Sequence, residues 1–419
     1  MANETLTTFS NYMKTKFGKV SDNVYNSATP VLARIRRTQD FVGEDQKYPI
    51  PVGFEGGVGS GILPTAGKSN AEKLTFSTKK IYARVAIERQ LMKQASSKEG
   101  AFVKALAHKM KKGVESYVRN DSRMIFGLGT GRLAIGSASA ANVTGAGSSG
   151  DPYLVTLKSQ KSTSGAIALN KRANLEKRDL VNVNTETTNL EITAITVESD
   201  FDIVVSLVGT SSRLATLAGA NPFTTTDILY MQGSKDNDIH GLQKVCDATS
   251  STLYGITVGD RWQAFQKAVT SGSISEDLMT EMLYGVEEQC GQWPDMIVTS
   301  YKQHRKISNF LSDNKRFNIV PRYGSEKLKA QISWSSLCLM APNNKEVPVV
   351  IDRFCEDDRM YFLNTDHITM HHAPDHGWFD DDGTIFMRQA DDDSYEARYG
   401  GYKELVIHPP FQGVLTGLA

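Results

Sequence analysis

The longest stretch with a single hydrophobic period in this chain runs from Ser97 to Phe126. Its apolar residues recur at Val103, Leu106, Met110, Val114 and Tyr117, three or four positions apart, and again two turns later at Ile125. This spacing puts them on one face of a helix, and most lysines and arginines fall off that face. Ser96 or Ser97 can cap the start, and Gly127 follows the last turn. The pattern predicts one long amphipathic helix.

A different pattern precedes this helix. The segment Tyr48–Ser69 holds six glycines and three prolines in 22 residues, a density that neither a helix nor a central strand tolerates. Apolar and polar residues then alternate along Lys73–Glu88, as in a strand. We therefore predict a long extended hairpin with a glycine-rich tip. On a lone molecule its apolar tip residues would face water, so we expect them to contact an adjacent subunit: Phe54, Val58, Ile62 and Leu63.

After the helix, the pattern becomes β-like and then alternates between helices and strands. Short apolar runs separated by Asn, Thr, Ser and Gly predict a β-rich region from Leu154 to about Leu217. Further helices are predicted at Asp260–Ala268, Ser275–Cys290 and Tyr301–Leu311. Short strands follow, and the final segment, Thr384–Phe411, is again β-like. The alternation indicates a mixed α and β architecture.

The composition is typical of a folded, globular chain. Of its 419 residues, 40% are hydrophobic, which is enough for two or three domains with sizeable cores. Forty-seven basic residues balance forty-seven acidic ones, so no global field attracts nucleic acid or an anionic membrane. The four cysteines are scattered without a CxxC pair, which argues against a zinc ribbon. Neither a signal peptide nor a membrane span is expected, and the expected compartment is the cytoplasm.

Two segments invite a ligand-binding interpretation. The first ends in Gly-Lys-Ser, but five residues rather than four separate Gly61 from Gly67, and the segment lies inside a hairpin. The second, from His367 to Asp382, is rich in histidine and aspartate, which suit zinc, manganese or iron. It leaves a metal-dependent enzyme as the alternative function. Since no HExxH, GxSxG or EF-hand spacing is present, we assign no catalytic residue, cofactor or metal ligand.

The order of the elements resembles that of a known family. An N-terminal arm, a glycine-tipped hairpin and a long helix ending in IFGLGTG come first. HGLQKVCD, MIVTSYKQHRKI and VPVVIDRFCEDDRMYFLN follow at His240–Asp247, Met296–Ile307 and Val347–Asn364, and the last strands contain EARYGGYKELVIHPPFQGVL. This ordered set resembles the major capsid proteins of tailed phages, whose Hong-Kong-97-type fold is shared with encapsulin shells. The similarity covers most of the chain apart from about Arg132 to Lys235.

The resemblance implies an α+β fold with an N-terminal arm, an extended β-hairpin loop, a long spine helix, peripheral and axial domains, and a β-rich insertion. The implied boundaries are 1–44 for the arm, 45–92 for the hairpin, 93–131 for the spine helix of the peripheral domain, 132–239 for the insertion, 240–383 for the axial domain, and 384–419 for C-terminal strands that return to the peripheral domain. Relatives that process themselves carry a long N-terminal scaffolding segment, whereas this hairpin begins by about residue 45. The resemblance therefore implies a separate scaffolding protein, or none.

The resemblance also implies a function. It indicates a structural protein, not an enzyme, that assembles with itself as pentamers and hexamers into an icosahedral shell around the double-stranded DNA of a tailed bacteriophage. The other expected partners are a scaffolding protein, a portal and a decoration protein, with no membrane and no sequence-specific DNA binding. The expected location is the virion capsid, assembled in the host cytoplasm. A secreted adhesin is disfavoured because repeats and a signal peptide are missing.

Some relatives join their subunits through an isopeptide bond between a hairpin lysine and an asparagine. The candidate lysines of this hairpin are Lys68, Lys73, Lys79 and Lys80. None of them can be matched to a partner asparagine from the sequence, so no crosslink is predicted.

Overall fold

A computed structural model describes residues 30–52, 70–90, 99–137, 143–162, 166–218, 222–249, 252–259, 261–313, 337–341, 346–373, 377–380, 384–389 and 392–419. The chain divides into two compact units. The first comprises Met1–Leu32, Arg37–Arg123 and Met370–Val406, and the second comprises Ala33–Arg36, Met124–Thr369 and Ile407–Ala419. The domain boundaries implied by the resemblance stay predictions.

The helices of the described residues include three of the four helices predicted above from the sequence. They are α1 (Pro30–Arg34), α2 (Glu99–Ile125), α3 (Ser212–Leu217), α4 (Leu242–Cys246), α5 (Glu276–Cys290) and α6 (Tyr301–Asp313). With 27 residues, α2 is about 40 Å long. Ser275 caps α5 as predicted, because its hydroxyl accepts a hydrogen bond from the Leu278 amide, and Gly291 ends the helix in the left-handed conformation.

The strands are shorter and more numerous. In chain order they are β1 (Arg36–Thr38), β2 (Gln46–Val52), β3 (Asn70–Phe76), β4 (Lys79–Glu88), β5 (Arg132–Ile135), β6 (Val143–Thr144), β7 (Tyr153–Leu157), β8 (Leu180–Val183), β9 (Leu190–Val197), β10 (Ile203–Val208), β11 (Ile228–Met231), β12 (Thr252–Leu253), β13 (Ile256–Thr257), β14 (Phe265–Gly272), β15 (Met296–Thr299), β16 (Leu337–Met340), β17 (Glu346–Ile351), β18 (Met360–Leu363), β19 (Ile368–His372), β20 (Gly377–Trp378), β21 (Met387–Arg388), β22 (Ser394–Ile407) and β23 (Gly413–Leu418).

The first unit joins the predicted hairpin to the long helix. Strands β2 and β3 form a two-stranded sheet of their own, whereas β4 pairs with β22 in a second sheet that also holds β1, β19, β20 and β21. Helix α2 packs on this second sheet: Tyr117 meets the Tyr399 ring edge-on, with centroids 5.0 Å apart. A Cβ atom added at Gly113 would lie 3.0 Å from Val85, so glycine lets the helix approach β4 closely.

The second unit contains a seven-stranded and a six-stranded sheet. One has the order β5-β11-β8-β9-β10-β7-β6 and accounts for the predicted β-rich region; its core includes Val155, Val205 and Leu229. The other has the order β14-β23-β18-β15-β17-β16, with α5 and α6 contributing Met282 and Ile307 to its core. No helix among the described residues is both long enough and apolar enough to span a membrane.

One prediction from the sequence is wrong. The helix expected at Asp260–Ala268 is replaced by β14, because Phe265–Gly272 finds a parallel partner in β23 near the end of the chain. The C-terminal segment contributes strands to two different sheets. Strand β22 lies in the sheet of the first unit, but β23 belongs to the six-stranded sheet of the second unit, where it pairs with both β14 and β18.

Candidate functional site

In the hairpin of β2 and β3, the β3 side chains are buried at the root and exposed beyond it, whereas β2 alternates between half-buried and exposed residues. Its register pairs Gln46 with Phe76 at the root and Val52 with Asn70 at the far end. The root residues Leu74 and Phe76 are 1% and 4% exposed, whereas Lys73 and the other described β3 residues beyond it are exposed. The subunit contacts predicted at the tip, Phe54, Val58, Ile62 and Leu63, lie outside the described residues and stay a prediction.

One edge of the hairpin is protected against unwanted strand pairing. Pro49 and Pro51 both lie in β2 and are two residues apart, so their ring nitrogens point to the same side. Since the pairing with β3 spans both positions, the missing N–H donors fall on the edge that faces away from β3. An edge without these donors is a poor template for another strand. The outer edge of β2 is therefore a poor site for strand addition.

A small polar network holds the root. The Tyr48 hydroxyl donates to Asp40 Oδ2 at 2.7 Å, and His371 Nδ1 lies 2.8 Å from Asp40 Oδ1. Burial raises the pKa of Asp40, but the hydrogen bonds with Tyr48 and His371 outweigh it and hold the pKa at about 2. The Phe76 ring packs on His371, with centroids 4.8 Å apart, and stacks on Tyr48 at 6.0 Å. The carboxylate thus ties β2 to β19.

The strand after the hairpin is fixed to β22 by a two-pronged ion pair. Arg84 Nε donates to Glu396 Oε1 at 2.8 Å, and Arg84 Nη2 donates to Oε2 at 2.5 Å. Arg398 also donates to Oε1, and these bonds hold the pKa of Glu396 at about 2. The ladder between β4 and β22 runs from Lys79 opposite Lys403 to Glu88 opposite Ser394. These contacts hold β4, the strand that follows the hairpin, firmly in its sheet.

A cluster of buried charges joins the two sheets of the second unit. Lys171 pairs with Asp357 at 3.6 Å and donates to the Cys355 carbonyl. The Asp357 amide donates to Gln160 Oε1 at 3.1 Å. Burial raises the pKa of nearby Asp352 to about 6. These contacts hold loops of the seven-stranded sheet against the turn that follows β17.

The same turn buries a second carboxylate. Glu356 is 4% exposed and forms an ion pair with Arg359, which also pairs with Asp247. Burial raises the pKa of Glu356 to about 7, and the neighbouring Arg359 only partly counteracts this effect. The sequence shows an acidic turn here but nothing that indicates its burial, because that depends on loops distant in the chain.

The histidine- and aspartate-rich run does not form a metal site among the described residues. His367 belongs to the second unit, where Nε2 lies 2.8 Å from Gln292 Oε1 and the ring stacks on Phe411 with centroids 3.5 Å apart. His371 belongs to the first unit and contacts Asp40, as described above. His376, Asp375, Asp381 and Asp382 lie outside the described residues. Among the described ones, the carboxylates that come within ligand distance of one another are Glu198, Asp200 and Asp202, where Lys158 already supplies a cation.

Comparisons with known proteins bear on the fold. The chain resembles the protein in the cyanophage A-1(L) capsid asymmetric unit, with a TM-score of 0.53, 12% identity, and coverage of 96% of this chain and 97% of that one. The capsid of a native GTA particle follows, with a TM-score of 0.47, 9% identity and full coverage of both chains. The capsid of Myoviridae phage XM1 gives a TM-score of 0.44 and 9% identity over 94% of this chain and 92% of that one.

The cyanophage match carries the fold assignment. It extends over nearly the whole of both chains, so the chain has the predicted α+β, Hong-Kong-97-type capsid fold. No protein-family model and no curated protein matches the sequence.

Proposed function

Because the chain has the fold of a capsid subunit, we propose that it is the major capsid protein of a tailed bacteriophage and assembles with itself into an icosahedral shell. The observation that carries the proposal is the hairpin of that fold. Its root is buried and hydrogen-bonded, the β3 residues 71–73 beyond the root are exposed, and Pro49 and Pro51 remove two backbone donors from β2. A root fixed in the subunit with exposed strand residues beyond it is what a subunit needs to contact a neighbour.

The tip provides the energy for such contacts. Full burial of Phe54, Val58, Ile62 and Leu63 against a neighbour would contribute about 6–12 kcal/mol per subunit in gross terms. Part of this is lost to the entropy of association and loop ordering. Because each subunit in a closed ring both gives and receives a hairpin, the remaining gain is repeated around the shell. The stability of the subunit is then linked to its assembly.

We also propose partners and a location for the protein. The shell would hold pentamers and hexamers, enclose double-stranded DNA without sequence-specific binding, and require a separate scaffolding protein, a portal and, on its surface, a decoration protein. The balance of forty-seven basic and forty-seven acidic residues supports passive enclosure, since no overall positive charge binds the subunit to DNA. We place the mature protein in the virion capsid and its assembly in the host cytoplasm. The alternative, a metal-dependent enzyme, has no support in the described geometry or in the comparisons.

A substitution of the tip tests the proposal. The variant Phe54→Ser, Val58→Ser, Ile62→Ser, Leu63→Ser should fold normally but fail to assemble, as measured by sedimentation and circular dichroism. A matched variant, Leu154→Ser with Tyr284→Ser, removes exposed apolar surface elsewhere and should assemble normally. Full assembly of the tip variant would contradict the role of the hairpin. Loss of its circular dichroism signal would show that the tip belongs to the protomer core instead.

A further inference from the structure

Helix α5 is negatively charged along its whole length. Its charged residues are all carboxylates: Glu276, Asp277, Glu281, Glu287 and Glu288. Lys267 pairs with Glu281 at 2.6 Å, but the other four make no ion pair within the part of the chain that the structure describes. Glu287 and Glu288 lie in the last turn, where the negative end of the helix dipole disfavours further negative charge. We call these two residues the negative pole.

Helix α6 begins with the opposite charge. Lys302 lies in its first turn, which holds no acidic residue, and Arg305 and Lys306 follow in the second turn. The positive end of the helix dipole disfavours cations there. Burial lowers the pKa of Lys306, and repulsion from Lys302 and Arg305 lowers it further. Lys302 and Arg305 have no ion-pair partner among the described residues, and we call them the positive pole.

Acidic residues beside the positive pole do not cancel its charge. Lys302 lines a groove whose other wall is the turn between β9 and β10, and this turn carries three carboxylates: Glu198, Asp200 and Asp202. Lys158 pairs with two of them, with Asp202 and, at 3.9 Å, with Asp200. The groove itself is lined by more basic than acidic residues: Lys161, Lys171, Arg172, Lys302 and Arg353 against Asp357. The start of α6 therefore keeps a net positive charge.

The chain order places the two poles at opposite ends of one strand. Helix α5 ends at Cys290 and the chain then enters β15 at Met296, whereas α6 begins at Tyr301, just after β15 ends. The four residues of β15 alone span about 13 Å. No ion pair links α5 to α6 within the ranges described for the second unit. Each pole is therefore left to meet the opposite pole of another copy.

We propose that the negative pole of one subunit, Glu287 and Glu288, contacts the positive pole of the next, Lys302 and Arg305. The inference rests on the proposed assembly and adds a second contact to the hairpin. Because the contact joins two different surfaces of the same protein, it is heterologous and generates rings when the rotation closes. It also covers Tyr301, which is 65% exposed and precedes Lys302. Within one subunit each pole opposes its own helix dipole, so the charges become favourable only when a neighbour supplies the opposite sign.

Charge reversal at one pole tests this contact. One variant carries Glu287→Lys and Glu288→Lys, and the other carries Lys302→Glu and Arg305→Glu. Each places like charges across the contact, so the yield of particles should fall at least about tenfold. The control, Lys177→Glu with Lys235→Glu, changes charge outside both poles and should assemble like the unaltered chain.

Subunit stability separates this effect from misfolding. In both pole variants the new charges agree with the helix dipoles, so the urea midpoint of the unassembled subunit should stay the same or rise. A merely structural role of these residues would instead lower the midpoint together with the yield of particles. Normal particle yield in both variants would overturn the contact.

A chain that carries all four reversals tests whether the charges meet across a subunit boundary. Every contact in its own assembly is again complementary, so it should assemble with itself. A contact between this chain and the unaltered one pairs like charges. In a mixture labelled in two colours, particles that contain both chains should therefore be at least about tenfold rarer than random mixing gives. Random mixing would show that the poles do not face each other between subunits.

Direct crosslinking separates this inference from the proposed function. A carbodiimide joins a carboxylate to a lysine amine where the two are in contact. In an equal mixture of ¹⁵N-labelled and unlabelled unaltered chains, mass spectrometry should find mixed-isotope peptides that join Glu288 to Lys302. Peptides that join Glu288 to Lys177 should be absent.

The outcomes are distinct. If particles form without the mixed-isotope crosslink, the pole contact is wrong and the capsid proposal stands. If the crosslink forms in small oligomers that never close into particles, the contact stands and the capsid proposal fails. A chain that neither assembles nor crosslinks contradicts both. A crosslink found only within chains of one isotope would show a contact inside the subunit and would also overturn the inference.

Discussion

The ammonium group of Lys403 forms an ion pair with the carboxylate of Asp121 in the interior of the first unit. The two side chains are only 2% and 8% exposed, and the Lys403 nitrogen lies 4.5 Å from the centroid of the Tyr117 ring. Lys403 belongs to β22, whereas Asp121 and Tyr117 belong to α2. The pair therefore ties the long helix to the strand on which the hairpin stands.

Removal of one partner of this ion pair should lower the free energy of unfolding far more than removal of both partners. Asp121→Ala leaves a buried lysine without its counter-charge and should lower the free energy of unfolding by about 3–5 kcal/mol. The double variant Asp121→Leu, Lys403→Met replaces the pair with apolar groups and should recover most of that loss. Urea unfolding of the unassembled protein measures both. Equal destabilisation by the single and double variants would show that the pair itself is not the cause.

The turn after α2 should depend on glycine at one position. Gly131 has a φ of +77°, and a Cβ atom there would lie 2.2 Å from the Ser234 carbonyl oxygen. Gly131→Ala should therefore lower the free energy of unfolding by at least about 2 kcal/mol. Gly150→Ala is the matched control, because a Cβ atom at Gly150 meets nothing within 4 Å. Similar unfolding midpoints for the two variants would contradict the geometry of this turn.

The buried carboxyl of Asp352 should make stability fall as the pH rises. Its pKa is raised by burial from 3.8 to about 6, so the folded state binds more protons than the unfolded state between these values. Its contribution to stability is complete below pH 4 and is lost as the pH rises through 6. Asp352→Asn does not titrate, and its side-chain oxygen can still accept the hydrogen bond from the Phe354 amide, 2.9 Å long with aspartate.

The difference between this variant and the unaltered chain is the quantity to measure. Between pH 4 and pH 7 the free energy of unfolding of Asp352→Asn should rise by about 2–3 kcal/mol relative to that of the unaltered chain. The exposed Asp380→Asn serves as control and should show no such trend. A pH-independent difference for Asp352→Asn would mean that the carboxyl is not buried as described.

The hairpin root should loosen when its phenol is removed. Tyr48→Phe deletes the hydroxyl that donates to Asp40 at 2.7 Å but keeps the ring that stacks on Phe76. We expect a loss of about 1 kcal/mol in local stability. Hydrogen exchange at the amides of β2 and β3 should become faster, whereas exchange in α5 should not change. Unchanged protection of both strands would show that Phe76 and Leu74 alone hold the root.

Local patterns predicted the long helix, the hairpin strands and α5 with its Ser275 cap, because each depends on residues close in sequence. Strand β14 was mispredicted as a helix, since its parallel partner β23 comes from the far end of the chain. Burial of Lys403 was missed for a similar reason. Its one signal is a charged pair, Lys403 and Glu404, directly before the apolar run of β22. The polar network at Asp40 needs β19 beside the hairpin and has no local signature.

Electron microscopy of the purified chain, alone and together with a scaffolding protein, shows directly whether the chain forms a shell. We expect closed particles of uniform size, tens of nanometres across, and their loss in the tip variant. A stable monomer that never assembles, with its hairpin protected from protease, would contradict it.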